Sequence, residues 1–167
     1  MLENDFHCAR AVFSQLGYSA SQDPELFDAV SAFMGGTAFL GKTCSAFTAG
    51  VMAVGLRAGE IENSLPRVIR LLALMTVGGN AFDERINKFN RSMNRGHHMS
   101  KWFKNEFGST QCQAITGCDF SDPAGVSNYI AGEQITRCRM IAGRIAERVQ
   151  LILSQETVYS KGRIQRG

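Results

Sequence analysis

The sequence predicts an all-α fold, a single-domain bundle of about five to seven helices around one buried helix of small residues. Three observations predict it. Apolar residues recur at spacings of three and four through most of the chain, as in Ile135, Cys138, Ala142, Ile145, Val149 and Ile152. There are only three prolines and a modest number of β-branched residues, a composition that leans towards helix. Gly17, Gly35-Gly36, Gly78-Gly79 and the Asp23-Pro24 and Asp122-Pro123 pairs fall between periodic segments. With 167 residues, 44% of them hydrophobic and 20% charged, the chain fits one globular domain, residues 1–167. Its core is expected over about 4–154, with a frayed tail over 159–167.

The first helix is expected to start at Asn4 or Asp5 as cap and to end at Gly17, with Phe6, Ala9, Phe13 and Leu16 facing inward. Asp23-Pro24 reads as cap and first residue of a second helix, ending near Met34 before Gly35-Gly36. The third helix, from Thr43 to Leu56, differs from the others because it is apolar nearly all round. A central, buried position follows. Its Ala46, Ala49, Gly50, Ala53 and Gly55 let neighbouring backbones or a cofactor approach closely; tight helix packing alone explains the same residues. A fourth helix starts at Ser64-Leu65-Pro66 and ends at Gly78-Gly79, with Leu65, Val68, Leu72 and Met75 on one side. Helical spacing resumes from Phe82 to Phe107, and Ser109 can cap a short helix carrying Cys112 and Ile115. Residues 117–125 read as turn, and the last long helix is expected from about Asn128 to Ser154.

The net charge is only +3, and it is local: residues 85–104 hold Arg85, Lys88, Arg91, Arg95, Lys101 and Lys104 and no acid. Interleaved with Phe89, Trp102 and Phe103, this segment could meet an acidic partner protein or nucleic acid. A solvated helix face explains it as well and is the preferred reading, so nucleic acid is disfavoured. Residues 1–10 lack a basic stretch followed by an apolar core, and the uncharged run 43–56 is too short to span a bilayer. The expectation is a soluble, cytoplasmic protein with no membrane association. Permanent disulfides are rare in that compartment, so the five cysteines are expected to be free, catalytic or metal-bound. His97-His98 point in different directions on a helix and are read as solvated, whereas His7 could tune Cys8 or serve as a ligand. No phosphate loop, paired-carboxylate constellation or serine triad signature is present.

No two cysteines form Cys-x-x-Cys, which removes the thioredoxin signature and, with no Cys-x-x-Cys-His, covalent c-type haem. A shared site must therefore be assembled from separate segments. Cys44, expected in the first turn of the apolar helix and near Lys42, is placed where unpaired N–H groups favour a thiolate. Simple packing as a small hydrophobe is an equal reading of Cys44 and the preferred one for Cys138.

Taken in order, His7-Cys8-Ala9-Arg10, Gly41-Lys42-Thr43-Cys44-Ser45-Ala46, Gly108-Ser109-Thr110-Gln111-Cys112 and the helical Cys138 resemble the small helical proteins of the C-GCAxxG-C-C redox-active family. The resemblance covers about 6–153. Ser45 and Ala49 stand where that family has glycines, and Cys118 is additional to its four cysteines. The resemblance implies an all-helical fold and redox activity, and a related domain accompanies haem modules in split-Soret cytochromes. It makes an iron–sulfur cluster the leading cofactor, with zinc ranked below it. The ligands would be Cys8, Cys44, Cys112 and Cys138, with Cys118 able to replace one. Electron transfer to an unidentified donor or acceptor protein is the leading function. The alternatives are metal-free dithiol–disulfide exchange, with Cys44 attacking and Cys112 or Cys118 resolving, and a non-enzymatic helical module using residues 85–104. A homodimer is compatible with all three.

Overall fold

The computed structural model describes residues 7–58, 65–77 and 91–164. Among them the chain is helical without strands, in agreement with the expected all-α class. The elements are α1 Cys8–Gln15, α2 Pro24–Ala29, a 3-10 turn Ser31–Phe33, α3 Ser45–Ala58, α4 Leu65–Thr76, α5 Arg91–Phe107, α6 Cys112–Thr116, α7 Pro123–Ala131 and α8 Gln134–Ile164. Eight α-helices among the described residues exceed the five to seven expected.

The centre is a three-helix packing of α1, α3 and α8, with α5 laid on α3 and α7 on α8. The composition of α3 makes this arrangement possible. Ala46, Ala49, Ala53 and Val54 are almost fully buried, and Gly50 lies under Met99 of α5 and Ile145 of α8. A Cβ at Gly50 would fall 2.6 Å from the Ile145 side chain and closer still to the Met99 methyl group, so two helices approach α3 because it lacks side-chain bulk there. Met99 and Phe103 from α5, Phe13 from α1, and Ile141, Ile145 and Val149 from α8 complete the core. Ala9 and Phe13 of the stripe expected on the first helix and the stripe expected on the last therefore meet at the helix expected to be central; Phe6 lies outside the described residues.

Several boundaries differ from expectation, each for a local reason. Asn4, Asp5, Ser64, Gly78, Gly79 and residues 82–90 lie outside the described residues. The cap observed on α1 is His7, whose Nδ1 accepts from the Arg10 N–H at 3.4 Å. The second helix stops at Ala29 and tightens into the 3-10 turn instead of reaching Met34. Residues 123–131 were expected as turn and then as the start of the last helix; they form a helix of their own, with the Asp122 carboxylate accepting from the Ala124 N–H and Pro123 at its first position. Gly125 is a packing residue in α7, since a Cβ there would strike the Asp119 backbone. Helix α8 continues to Ile164, into the stretch expected to fray.

Between the 3-10 turn and α3 the chain makes a left-handed turn. Gly35, Gly36, Thr37, Ala38 and Phe39 have φ of 61°, 75°, 64°, 51° and 62°. Glycine adopts this region freely, but L-residues pay roughly 1–2 kcal/mol each. The turn is closed by hydrogen bonds from Phe39 N–H to Met34 O (2.9 Å), Gly41 N–H to Gly35 O (3.0 Å) and Lys42 N–H to Gly36 O (2.9 Å). Ala38 is exposed, so Ala38→Gly relieves strain without removing a buried contact. Against the larger entropy of glycine in the unfolded chain, it should still stabilise the protein by about 0.5–1 kcal/mol, read as a higher urea midpoint.

Candidate functional site

The left-handed turn delivers Cys44 to a defined place. Residues 41–44 run antiparallel to 110–113 through one isolated bridge, Thr43 to Gln111. Cys44 N–H donates to Thr110 O (2.8 Å), Cys112 N–H to Lys42 O (2.5 Å) and Gln113 N–H to Gly41 O (2.9 Å). Two cysteines 68 positions apart in sequence (112 − 44) are thus set side by side, one just before α3 and the other opening α6. Gly36 sits beneath them, and a Cβ on it would lie 2.5 Å from the Cys112 Cβ.

Cys8, at the start of α1, and Cys138, in the first turns of α8, face the same space. All four thiols line one cavity of about 170 Å3, walled largely by apolar side chains including Met34, Phe39, Ile115, Phe120 and Ile141. Cys44, Cys112 and Cys138 are each less than a tenth exposed. The five cysteines are all free thiols. Four of them come together here from four helix ends or helix faces.

Cys118 does not line this cavity. It packs against the cavity wall in a cluster with Cys112 and Phe120, and its thiol donates to the Thr116 carbonyl at 3.6 Å, while its N–H donates to Thr116 Oγ1. His7 is buried with both ring nitrogens engaged, Nδ1 by Arg10 and Nε2 by Ser31 O at 3.0 Å, so its role here is to cap α1 beside Cys8. His97 and His98 sit on α5 with their rings 6.2 Å apart. Among the described residues no three His, Cys, Asp or Glu side chains gather as a group able to hold a metal ion. The four thiols ring a space; they do not close on a point.

The electrostatics separate the thiols. Burial pushes Cys44 up to about 11, against the lowering pull of the Phe47 and Ala46 N–H groups at the start of α3. The helix N-terminus expected to activate Cys44 is present, but desolvation outweighs it. Cys112 is pushed up to about 12 by burial and then by the proximity of Cys44 and Cys138. Cys8 and Cys138 behave as a pair. Their hydrogen-bonding interaction lowers Cys138, helped by Tyr129 and Arg137, and raises Cys8. The thiol disposed to ionise first is therefore Cys138, a residue read from the sequence as an ordinary core position.

These directions predict the behaviour of the metal-free protein. Cys138 should alkylate first as pH rises, with Cys44 and Cys112 unlabelled until well above pH 9. The folded pKa values of Cys44 and Cys112 exceed the ordinary thiol value of 9.0, so the stability they contribute is complete below about pH 9. It is lost as pH rises through the folded values, and thermal melts should fall between about pH 9 and 12. A melting temperature that stays level across that range would contradict the burial of these two thiols.

A family model described as "putative redox-active protein (C_GCAxxG_C_C)" matches residues 6–152, most of the chain. The chain belongs to this family. The matched span contains all four cavity cysteines and runs from the residue before His7 to the end of the buried stripe of α8. The family is named for redox activity. No curated protein and no solved structure matches the chain. Among the described residues no helix is long and apolar enough to cross a membrane.

Tyr129, Phe39 and Phe120 also line the cavity, and the sequence reading singled out none of them. The signal for Tyr129 was available: Asp122-Pro123 carries the same cap-and-first-residue logic as Asp23-Pro24, and a helix started there places Tyr129 two turns in.

Proposed function

We propose that this protein transfers electrons through an iron–sulfur cluster held by Cys8, Cys44, Cys112 and Cys138. The observation that carries the reading is the convergence of these four thiols, from four separate segments, on one apolar cavity. An all-thiolate donor set suits iron–sulfur clusters and structural zinc alike. Zinc requires four sulfurs each about 2.3 Å from one point. A multi-iron cluster spreads its ligands over a wider frame, which side chains ringing a cavity accommodate better. When bound, such a cluster takes up and returns one electron at a time.

The chain's own residues supply the rest. Burial, with neighbouring thiols adding to it, raises Cys44 and Cys112, so thiolates are disfavoured in the bare cavity and the positive charge of bound iron would offset that cost. The apolar walls exclude water, and the Thr43–Gln111 bridge fixes the spacing of two of the ligands. Protein purified without oxygen should contain iron and acid-labile sulfide and absorb visible light. A colourless protein that takes up no iron on anaerobic reconstitution would refute the reading.

One observation favours a second reading, metal-free dithiol–disulfide exchange. The lowered Cys138 is paired with Cys8, so the attacking thiolate moves from Cys44 to Cys138. Cys138 would attack a partner's disulfide and release one partner thiolate. Cys8 would then attack the mixed disulfide at Cys138 and release the second, leaving a Cys8–Cys138 disulfide and two electrons on the partner. Slow alkylation of every thiol at neutral pH would remove this alternative.

A further inference from the structure

The side of α4 that carries Leu65, Val68 and Leu72 is not buried. The helix packings that build the centre join α1, α3, α5, α7 and α8, and among the described residues none from α4 belongs to the core. Leu65, Val68, Ile69 and Leu72 are instead 72%, 49%, 56% and 56% exposed. Their spacing of three, one and three residues puts them in a single helical stripe. Four large aliphatic side chains in one row make an apolar patch on the order of 400 Å2, a size that marks an interaction surface on a soluble chain. A helix of 12 residues is marginal in water by itself and draws most of its stability from packing such a face.

The pattern of the stripe identifies what covers it. Read in either direction it is leucine, two β-branched residues, leucine: Leu65 and Leu72 at the ends, Val68 and Ile69 in the middle. Two antiparallel copies related by a twofold axis between positions 68 and 69 set Leu65 of one against Leu72 of the other, and Val68 against Ile69. Each contact then occurs twice, as an isologous interface requires. No charge interrupts the row, and the only charged residues of α4, Arg67 and Arg70, lie off it in the helical register. The hydroxyl of Thr76, beside the stripe, is tied back to the Ala73 carbonyl at 2.8 Å and needs no partner across the seam. The two faces, with the exposed Ala73 and Thr76 at their edge, approach the ~1,000 Å2 of total area that a specific interface needs. A lipid surface fits less well, because α4 has no aromatic residue, no lysine and only two arginines.

We propose that the α4 stripe is a homodimer interface, in which Leu65, Val68, Ile69 and Leu72 pack antiparallel against the same residues of a second copy of this chain. The interface forms with or without a cluster, because none of these residues lines the thiol cavity.

Sedimentation equilibrium of the full chain in reductant, across the micromolar range, tests it. Wild type should approach twice the chain mass. Ile69→Glu should return it to the chain mass and weaken the dimer by on the order of a hundredfold, since each interface would bury two unpaired carboxylates. Ile69 is exposed and outside the core, so at concentrations where both proteins are monomers the variant should melt with wild type. The orientation is read from a second set. Leu65→Lys and Leu72→Glu should each dissociate the dimer, and the double variant should recover part of it, because antiparallel pairing sets the introduced lysine opposite the introduced glutamate. This set also decides the matter if Ile69→Glu does not fold. A wild-type chain that stays at the chain mass throughout would overturn the proposal, as would a dimer that Ile69→Glu leaves intact. A monomer that binds phosphatidylserine vesicles, and loses them on Ile69→Glu, would overturn it in favour of a lipid surface. A double variant as dissociated as the single ones would overturn the antiparallel arrangement.

Discussion

Changing any one of Cys8, Cys44, Cys112 or Cys138 to serine should cut the iron retained after anaerobic reconstitution at least about tenfold, while Cys118→Ala leaves it unchanged. The contrast follows from position. The four cavity thiols share one space, and removing one leaves any cluster with an incomplete set of soft ligands. Serine is the right replacement because it keeps the volume nearly constant and exchanges a soft donor for a hard one. Cys118 is also buried, but its thiol is turned to the Thr116 carbonyl in the adjoining cluster. Its loss should lower stability by about 1–2 kcal/mol through packing and leave the loading intact. Equal losses at all five positions would mean that the thiols stabilise the fold and bind nothing. Loss at Cys118 with retention at Cys138 would mean that the additional cysteine replaces the helical one.

The second large effect is expected at Gly36. Alanine there would meet three obstacles together: a φ of +75°, the Cys112 Cβ at 2.5 Å and the Lys42 amide nitrogen at 2.9 Å. The left-handed conformation costs an L-residue about 1–2 kcal/mol, and forcing a methyl group into close-packed surroundings adds about 1–3 kcal/mol. The sum of about 2–5 kcal/mol should lower the melting temperature by roughly 5–15 °C. Because the obstacle includes Cys112 itself, iron loading should fall as well. Gly17→Ala is the control. Gly17 also has positive φ, +88°, but open space around its Cβ direction, so it should cost only about 1 kcal/mol and leave the site untouched. A Gly36→Ala protein as stable as wild type would show that the left-handed turn can move away from Cys112.

The core was readable because helix burial leaves a period in the sequence. The stripe through Cys138, Ala142, Ile145, Val149 and Ile152 is the face of α8 that packs, and the apolar, small-residue character of α3 marks it as the central helix. Gly50 shows how far such reading reaches. Its smallness signalled a close approach, but only the folded chain shows that Met99 and Ile145 make it. Reading failed where several weak local preferences compete. Gly125, inside α7, was placed at the end of a stretch read as turn, because nothing in the sequence reveals that the Asp119 backbone will crowd it. Thr37, Ala38 and Phe39 carry no signal of left-handed backbone, since hydrogen bonds across the turn impose it.

By itself the sequence determined the helical class, the central helix, and the order and context of four cysteines that mark the family. These depend on properties each segment carries alone: apolar period, caps, breakers and motif. Only the tertiary structure decided that Cys8, Cys44, Cys112 and Cys138 line one cavity, that Cys118 is not among its lining residues, and that Tyr129 is. It also decided that Cys138, not Cys44, is the thiol whose pKa is lowered. The physical reason is that ionisation depends on the balance of desolvation against neighbouring donors. Both terms are set by side chains that are distant in sequence and meet only when α1, α3, α6, α7 and α8 have packed.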